Sequence, residues 1–386
     1  MTGFIEHMNT RGSRVTAIAC LVLAMACVVL LRGTFMTTRE AEPIYPGPGV
    51  TDIKMLSDYY SGIKDTAGDT EVYVLDSGAP GASMLVLGGT HPNEPSGYVT
   101  AILLIENCLP ETGVLYVIPR TNNSAFTCTD PQEGSPMRFT IDTPSGERWF
   151  RFGSRATNPV NQWPDPEIYV HASSGQRLSG SETRNINRAY PGRTNGTFTE
   201  KVAYAVTEMI RSERIDITID LHEAAPEYPT NNALVFHERA TSVAGMAVLN
   251  MSLEGMSISP EPSPTNLHGL THRELGDYTD TLALLMETPN ASQGRLRGRT
   301  DADLVVGGKD RFYEMAAGYG RLYVPWGPQG QPLVNRVSRH VTGIAQIAVA
   351  YNETDGLIAG KSIELAGIPG YDELMQEGLG VYLEPK

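Results

Sequence analysis

Cysteine is scarce in this sequence. Only four occur among 386 residues, and two of them, Cys20 and Cys27, sit in a single apolar run near the N-terminus. Cys108 and Cys128 remain for the rest of the chain. No CxxC or Cys–His spacing accompanies them, which excludes a thiolate metal site, while a Cys108–Cys128 disulfide stays open to sequence arithmetic. Basic residues are also in deficit, with 30 Lys and Arg against 44 Asp and Glu and a formal net charge of −14. Phosphate neutralisation needs clustered Lys and Arg, so nucleic acid is excluded as a partner. No Gly-x-Ser-x-Gly elbow occurs, which disfavours a serine hydrolase. The stretch from Gly356 to Ser362 ends in Gly-Lys-Ser, but its first glycine stands one residue too close to Lys361 for a phosphate loop.

One long apolar run is present, from Val15 to Leu31, preceded by Arg11 and Arg14 and closed by Arg32. It reaches the lower edge of the roughly 17–25 residues that span a bilayer. A cleaved signal peptide is the rival reading, but the small-x-small triplet Ala24-Met25-Ala26 lies inside the run rather than after it. We therefore expect a short segment over 1–14, an uncleaved transmembrane anchor over 15–33 and a linker over 34–50. Arg11 and Arg14 on one side nearly balance Arg32 and Arg39 on the other, so positive charge does not set the orientation. A single N-terminal span ahead of a large body points to membrane attachment with the body outside the cytoplasm.

The body, 51–386, is expected to be one domain. Strand-like segments (Glu71–Leu75, Ser83–Leu87, Val114–Pro119, Ile215–Leu221, Ala233–Phe236, Thr281–Met286) alternate with helical ones (Pro95–Asn107, Phe198–Arg214, Val334–Tyr351). This alternation predicts an α/β sheet with helices on its faces. Between 120 and 175 the pattern fails in a Pro-, Gly-, Ser- and Asn-rich stretch, read as an insertion that serves as a lid or a peripheral flap.

Three local patterns carry chemistry. Gly88-Gly89-Thr90-His91-Pro92-Asn93-Glu94-Pro95 follows a strand and opens a helix, the place where α/β folds present ligands. His91 and Glu94 stand close enough to reach one cation, and imidazole nitrogen and carboxylate oxygen both suit zinc. Asp220-Leu221-His222-Glu223 ends an apolar strand, placing His222 as a third ligand, with Asp220 or Glu223 available to orient its ring. Between these lies Arg184-Asn185-Ile186-Asn187-Arg188-Ala189-Tyr190-Pro191-Gly192-Arg193, rich in guanidinium groups that bind carboxylates bidentately.

In combination, H-x-x-E, then R…N-x-N-R-x-Y-P-G, then D-L-H resembles the succinylglutamate desuccinylase and aspartoacylase branch of the zinc carboxypeptidases, from about Ser83 to Glu287. The resemblance implies a carboxypeptidase-like mixed, twisted sheet flanked by helices. It implies one zinc ion per chain on His91, Glu94 and His222, with Asn187 and Arg188 holding a substrate carboxylate. The arginine that polarises the scissile carbonyl falls on Arg177, with Arg184 as the competing assignment, and the general base falls on Glu287. The membrane anchor and the 120–175 insertion depart from the family's pattern.

These residues imply a zinc hydrolase that cleaves an amide, or an ester, in a small carboxylate-bearing molecule of the N-acyl amino acid type. A metallocarboxypeptidase acting on peptides or cell-wall peptides is the first alternative, and a non-catalytic zinc-containing binding module the second. His268-Gly269-Leu270-Thr271-His272 has the histidine spacing of a metalloprotease helix but lacks its Glu, and reads as a surface or lid element. His7, His171, His237 and His340 receive no role.

Overall fold

The computed structural model of the chain describes residues 11–37, 40–130 and 134–384. Arg39, His7 and most of the 1–14 segment lie outside the described residues. Helix α1 (Arg11–Thr37) contains Gly12–Gly33, which is long and apolar enough to cross a membrane. It belongs to a unit of its own that ends at Ala41.

The folded body begins at Glu42, earlier than the linker boundary read from sequence. The reason is a buried ion pair. Glu42 is 1% exposed and accepts from Arg120 Nε at 2.7 Å and Arg151 Nε at 2.6 Å. Gly47 then donates its N–H to the Ile105 carbonyl, so 42–50 is fastened to the body.

In chain order the strands are β1 (Asp52–Met55), β2 (Glu71–Asp76), β3 (Ser83–Leu87), β4 (Leu109–Thr112), β5 (Val114–Ile118), β6 (Arg138–Thr143), β7 (Gly146–Arg151), β8 (Ile168–Val170), β9 (Arg177–Ser179), β10 (Ile217–Ala224), β11 (Ala233–Phe236), β12 (Ser259–Pro262), β13 (Leu282–Pro289) and β14 (Glu364–Ala366). Eight of them form one mixed sheet in the order β1-β2-β5-β3-β10-β13-β11-β12. The centre, β5-β3-β10-β13, is parallel, and β2 and β11 run against it. The central strands read as continuous apolar runs because helices cover both faces. On one face α2 (Pro95–Asn107), α4 (Thr241–Leu253) and α5 (Leu333–Glu353) bury Leu104, Val243 and Ile344 against Val86, Ile219 and Met286. On the other, α3 (Phe198–Glu213) lays Val202, Val206 and Met209 over Leu85, Leu87 and Ala283. The start of α3 is set by a capping box: Thr197 Oγ1 accepts from the Glu200 N–H, and Glu200 returns a carboxylate to the Thr197 N–H at 2.7 Å.

Two glycines let α2 sit against the sheet. Gly89 turns the chain at φ +65°, and a Cβ on Gly97 would stand 2.6 Å from the Leu221 carbonyl oxygen of β10. The 120–175 stretch, expected to be irregular, contains the hairpin β6–β7 and strand β8. Phe139, Ile141 and Phe150 of that hairpin join Ile102 of α2 and Val337 of α5 in a further buried cluster. Its polar composition hid strands whose inward faces carry only alternate apolar residues. Cys108 and Cys128 are free thiols.

Candidate active site

The site forms at the carboxyl ends of the parallel strands. The turn after β3 brings His91 and Glu94, with Pro95 opening α2 directly behind them. β10 brings Asp220 and His222, and β13 brings Glu287, which is paired in register with His222. Both strands extend further than the sequence suggested, so His222 and Glu287 lie within them.

His91, Glu94 and His222 are each no more than 2% exposed, and one ligand atom from each lies within 4.8 Å of the others. Glu94 Oε1 is 2.9 Å from His91 Nδ1, and Glu94 Oε2 is 2.9 Å from His222 Nδ1. The far side of each ring fixes its tautomer. His91 Nε2 is 2.9 Å from Asn185 Oδ1, whose amide is oriented by Nδ2 donating to Glu182 at 2.8 Å. His222 Nε2 is 2.7 Å from Asp220 Oδ2, a carboxylate that also accepts from the Thr90 and Thr271 hydroxyls. Both Nε2 atoms therefore donate outward, and both Nδ1 lone pairs face the Glu94 carboxylate. Acceptors facing acceptors share a positive group: a proton or a metal ion or, on the His91 side, the Arg155 guanidinium, whose Nη1 is 2.9 Å from Glu94 Oε1 and 3.2 Å from His91 Nδ1. The donor set, two imidazole nitrogens and one carboxylate with the remaining coordination position open to a cavity, fits zinc. Of Asp220 and Glu223, it is Asp220 that orients the ring. Glu223 instead pairs with buried Arg336 of α5 and accepts from Asn290 Nδ2 at 3.0 Å.

The electrostatics agree with a site made for a cation. Burial raises Glu94, but His91 and His222 outweigh it and hold the carboxyl well below its usual range. Burial lowers His222, yet Asp220 and Glu94 more than reverse this and raise it. His91 is pushed down by burial and by Arg155. Burial is also the largest influence on Glu287, which is pushed up to about 8. Its Oε2 is shielded from solvent and has no hydrogen-bond partner among the described residues.

A cavity of about 890 Å³ opens over these groups, lined among others by His91, Glu94, Arg155, Arg188, His222 and Glu287. Asn187 reaches it as well and is held by the Thr271 N–H, which donates to Asn187 Oδ1 at 2.9 Å. Arg188 donates to the Asn187 carbonyl at 2.6 Å and stands 3.7 Å from Glu182. The other two arginines of the sequence reading lie elsewhere. Arg177 is exposed on β9 and does not line the cavity. Arg184 is locked bidentately onto Asp165, at 2.7 and 2.8 Å, and does not line it either. The guanidinium beside the ligands is that of Arg155, whose Nη1 is 2.9 Å from Glu94 Oε1 and 3.2 Å from His91 Nδ1. Arg155 follows the β6–β7 hairpin, and no local motif marks it. Asn185 had a signal, since it is the first amide of the Asn-x-Asn-Arg run. A second cluster, His237, Glu238 and Asp277, already encloses a cation, because Arg273 bridges its two carboxylates.

No family model matches the sequence, and no curated protein matches it. Among solved structures the chain is similar to a succinylglutamate desuccinylase from a Silicibacter species, at 16% identity and TM-score 0.37, covering 66% of this chain and 65% of that one. It is similar to a metallo-carboxypeptidase from Burkholderia cenocepacia, at 11% identity and TM-score 0.43, covering 83% of this chain and 68% of that one. It is also similar to the tripeptide-bound cell shape determinant protein Csd4 from Helicobacter pylori, at 10% identity and TM-score 0.41, covering 80% and 60%. The structural neighbours are thus desuccinylase/aspartoacylase proteins and metallocarboxypeptidases, and this chain spans somewhat less than two thirds of the desuccinylase's length. At such identities and TM-scores the likeness carries no argument, and the reading of the site rests on its own geometry.

Proposed function

We propose that this chain is a zinc-dependent hydrolase of an amide bond in a substrate that carries a carboxylate. The observation that carries the reading is the convergence of His91, Glu94 and His222, each imidazole fixed by an outer partner, beside an unpartnered carboxylate on Glu287. Zinc held by these three residues would supply a Lewis acid for the scissile carbonyl and acidify a water molecule.

The protein's own groups supply the rest. Glu287 takes the proton of the attacking water at Oε2 and passes it to the leaving amine. Arg155 is the cation placed to stabilise the oxyanion, a role that neither Arg177 nor Arg184 is positioned to take. Arg188 and Asn187 bind the substrate carboxylate and so fix which bond lies over the metal-binding residues. N-acyl amino acids fit this arrangement. A second reading, removal of a C-terminal residue from peptides, is favoured by the cavity, which continues past the ligands to Tyr228, Arg295 and Arg297. We further propose that α1 anchors the protein in a membrane with the body outside the cytoplasm.

The test is hydrolysis of an N-acyl amino acid panel and a C-terminal peptide panel by the zinc-loaded chain and by Glu287→Gln. Turnover of one panel, lost in the variant, supports the reading and identifies the substrate class. Turnover unaffected by Glu287→Gln contradicts it.

A further inference from the structure

Arg155 has no strand or helix of its own. It stands four residues beyond the end of β7, in irregular backbone, yet its guanidinium meets Glu94 Oε1 at 2.9 Å and His91 Nδ1 at 3.2 Å. Fixing irregular backbone costs conformational entropy at every residue, so specific contacts must hold this one in place.

The turn that carries His91 and Glu94 supplies the first contact. Gly153 donates its N–H to the Pro92 carbonyl at 3.2 Å, and a Cβ on Gly153 would stand 2.5 Å from both the Ala125 carbonyl oxygen and Pro92 Cβ. The chain passes too close to that turn for any residue larger than glycine. Ser154 then donates its N–H to the Ala125 carbonyl at 3.0 Å. These backbone bonds set the path of 153 and 154 and leave Arg155 to a side chain.

That side chain is Asp130. Its Oδ1 accepts from the Ser154 hydroxyl, and its Oδ2 accepts from the Arg155 N–H and from Asn93 Nδ2, each at 3.4 Å. The Ser154 hydroxyl accepts from the Ala156 N–H at 3.0 Å, which directs its proton to Asp130. Asn93 stands between His91 and Glu94, and its carbonyl accepts from Gln293 Nε2. Three donors thus converge on one carboxylate, two from the Arg155 turn and one from the turn that bears the candidate ligands. An ionised carboxylate accepts at both oxygens, whereas an amide in its place would point an N–H at a donor.

Building on the reading of Arg155 as the oxyanion cation, we propose that Asp130 is the positioning residue for Arg155, pinning its turn to the His91–Glu94 turn. Asp130 does not line the cavity and acts through Arg155. A guanidinium displaced by about 1 Å loses much of its hold on the transition state, and Asp130 is the group that prevents the displacement.

The test uses the full zinc-loaded chain, wild type beside Asp130→Ala, Asp130→Asn, Arg155→Ala and the double variant Asp130→Ala/Arg155→Ala. Asp130→Ala is expected to lower kcat by about tenfold or more, with KM within about twofold and zinc content unchanged. In the Arg155→Ala background the same change should alter kcat by no more than about twofold, because the residue it positions is gone. Asp130→Asn, which keeps one acceptor, should fall between Asp130→Ala and wild type. Limited trypsin digestion gives a readout independent of turnover. Cutting after Arg155 should run about tenfold faster in Asp130→Ala than in wild type, with cutting after the exposed Arg177 unchanged. Equal kcat losses in the two backgrounds, unchanged cutting after Arg155, or faster cutting at both arginines overturns the inference. If Arg155→Ala is as active as wild type, or no substrate is turned over, the oxyanion or the hydrolase reading fails separately. The tryptic pattern then decides the inference alone, selective cutting after Arg155 in Asp130→Ala supporting it.

Discussion

His222 and Glu287 stand opposite one another on adjacent parallel strands, β10 and β13, in register. Paired residues on parallel neighbours project to the same face, so the sheet itself holds the imidazole of the candidate metal site and a shielded carboxylate side by side. Burial raises the carboxyl of Glu287 while the nearby His222 pulls it back, which leaves it pushed up to about 8. A group placed this way is positioned for proton transfer and costs stability to keep.

Glu287→Gln keeps the shape of the side chain and removes its basicity. We expect kcat to fall by about 10²–10⁴-fold with metal content unchanged. Steady-state kinetics with metal analysis on the same preparation checks this. Loss of metal together with activity would make Glu287 a structural residue instead.

Asp220 is fully buried and does not line the cavity, but its Oδ2 lies 2.7 Å from His222 Nε2. Asp220→Asn is expected to weaken zinc binding by about 10–100-fold, measured by competition with a chelator of known affinity. Unaltered affinity would mean that His222 is oriented by something else.

Arg155 and Arg177 separate the structure from the sequence most cleanly. Arg155→Ala should lower kcat/KM by about 10²–10³-fold, as loss of an oxyanion partner does. Arg177→Ala, on an exposed hairpin away from the cavity, should stay within about twofold of wild type. The reverse order of effects would restore Arg177 to the site.

Acid should destabilise the body in two stages. His340 is pushed down to about 3, chiefly by burial and then by His222 and Arg339. Its unfolded form takes up a proton below about 6.5 while the folded form does not, so stability falls with pH from there towards 3, by at most about 1.4 kcal/mol per pH unit. Glu42 is buried, which raises it, but Arg120 and Arg151 outweigh that and hold it below the usual value. Its contribution is complete above about 4.5 and is lost as pH falls through the folded pKa. Glu42→Gln leaves two buried guanidinium groups short of a charge and should cost about 3–5 kcal/mol at neutral pH. Denaturant melts across pH check both statements, and a variant as stable as wild type would contradict the second.

The convergence of His91, Glu94 and His222 was legible because each lies at a strand end with a local signature: His-x-x-Glu after a glycine turn, and Asp-x-His closing an apolar strand. The sheet was legible for a related reason, since its central strands are unbroken apolar runs. Arg155 was not legible, because it reaches the site only through the hairpin that carries it, and that hairpin's alternation is diluted by polar residues facing outward. His272 misled in the opposite direction. Its spacing from His268 suggested a motif, and the absent Glu dismissed it, yet it lines the cavity, a place that comes from the contacts of Thr271 with Asn187 and Asp220. Such contacts join residues up to 84 positions apart, beyond the reach of any local pattern.

The central claim is that His91, Glu94 and His222 hold one metal ion, and metal content tests it most directly. Purified full-length chain, loaded with zinc, dialysed and measured by elemental analysis, should retain one zinc per chain, and His91→Ala and His222→Ala should each lose it while remaining folded. A wild-type chain that retains no divalent metal, or variants that retain as much as wild type, would contradict the account.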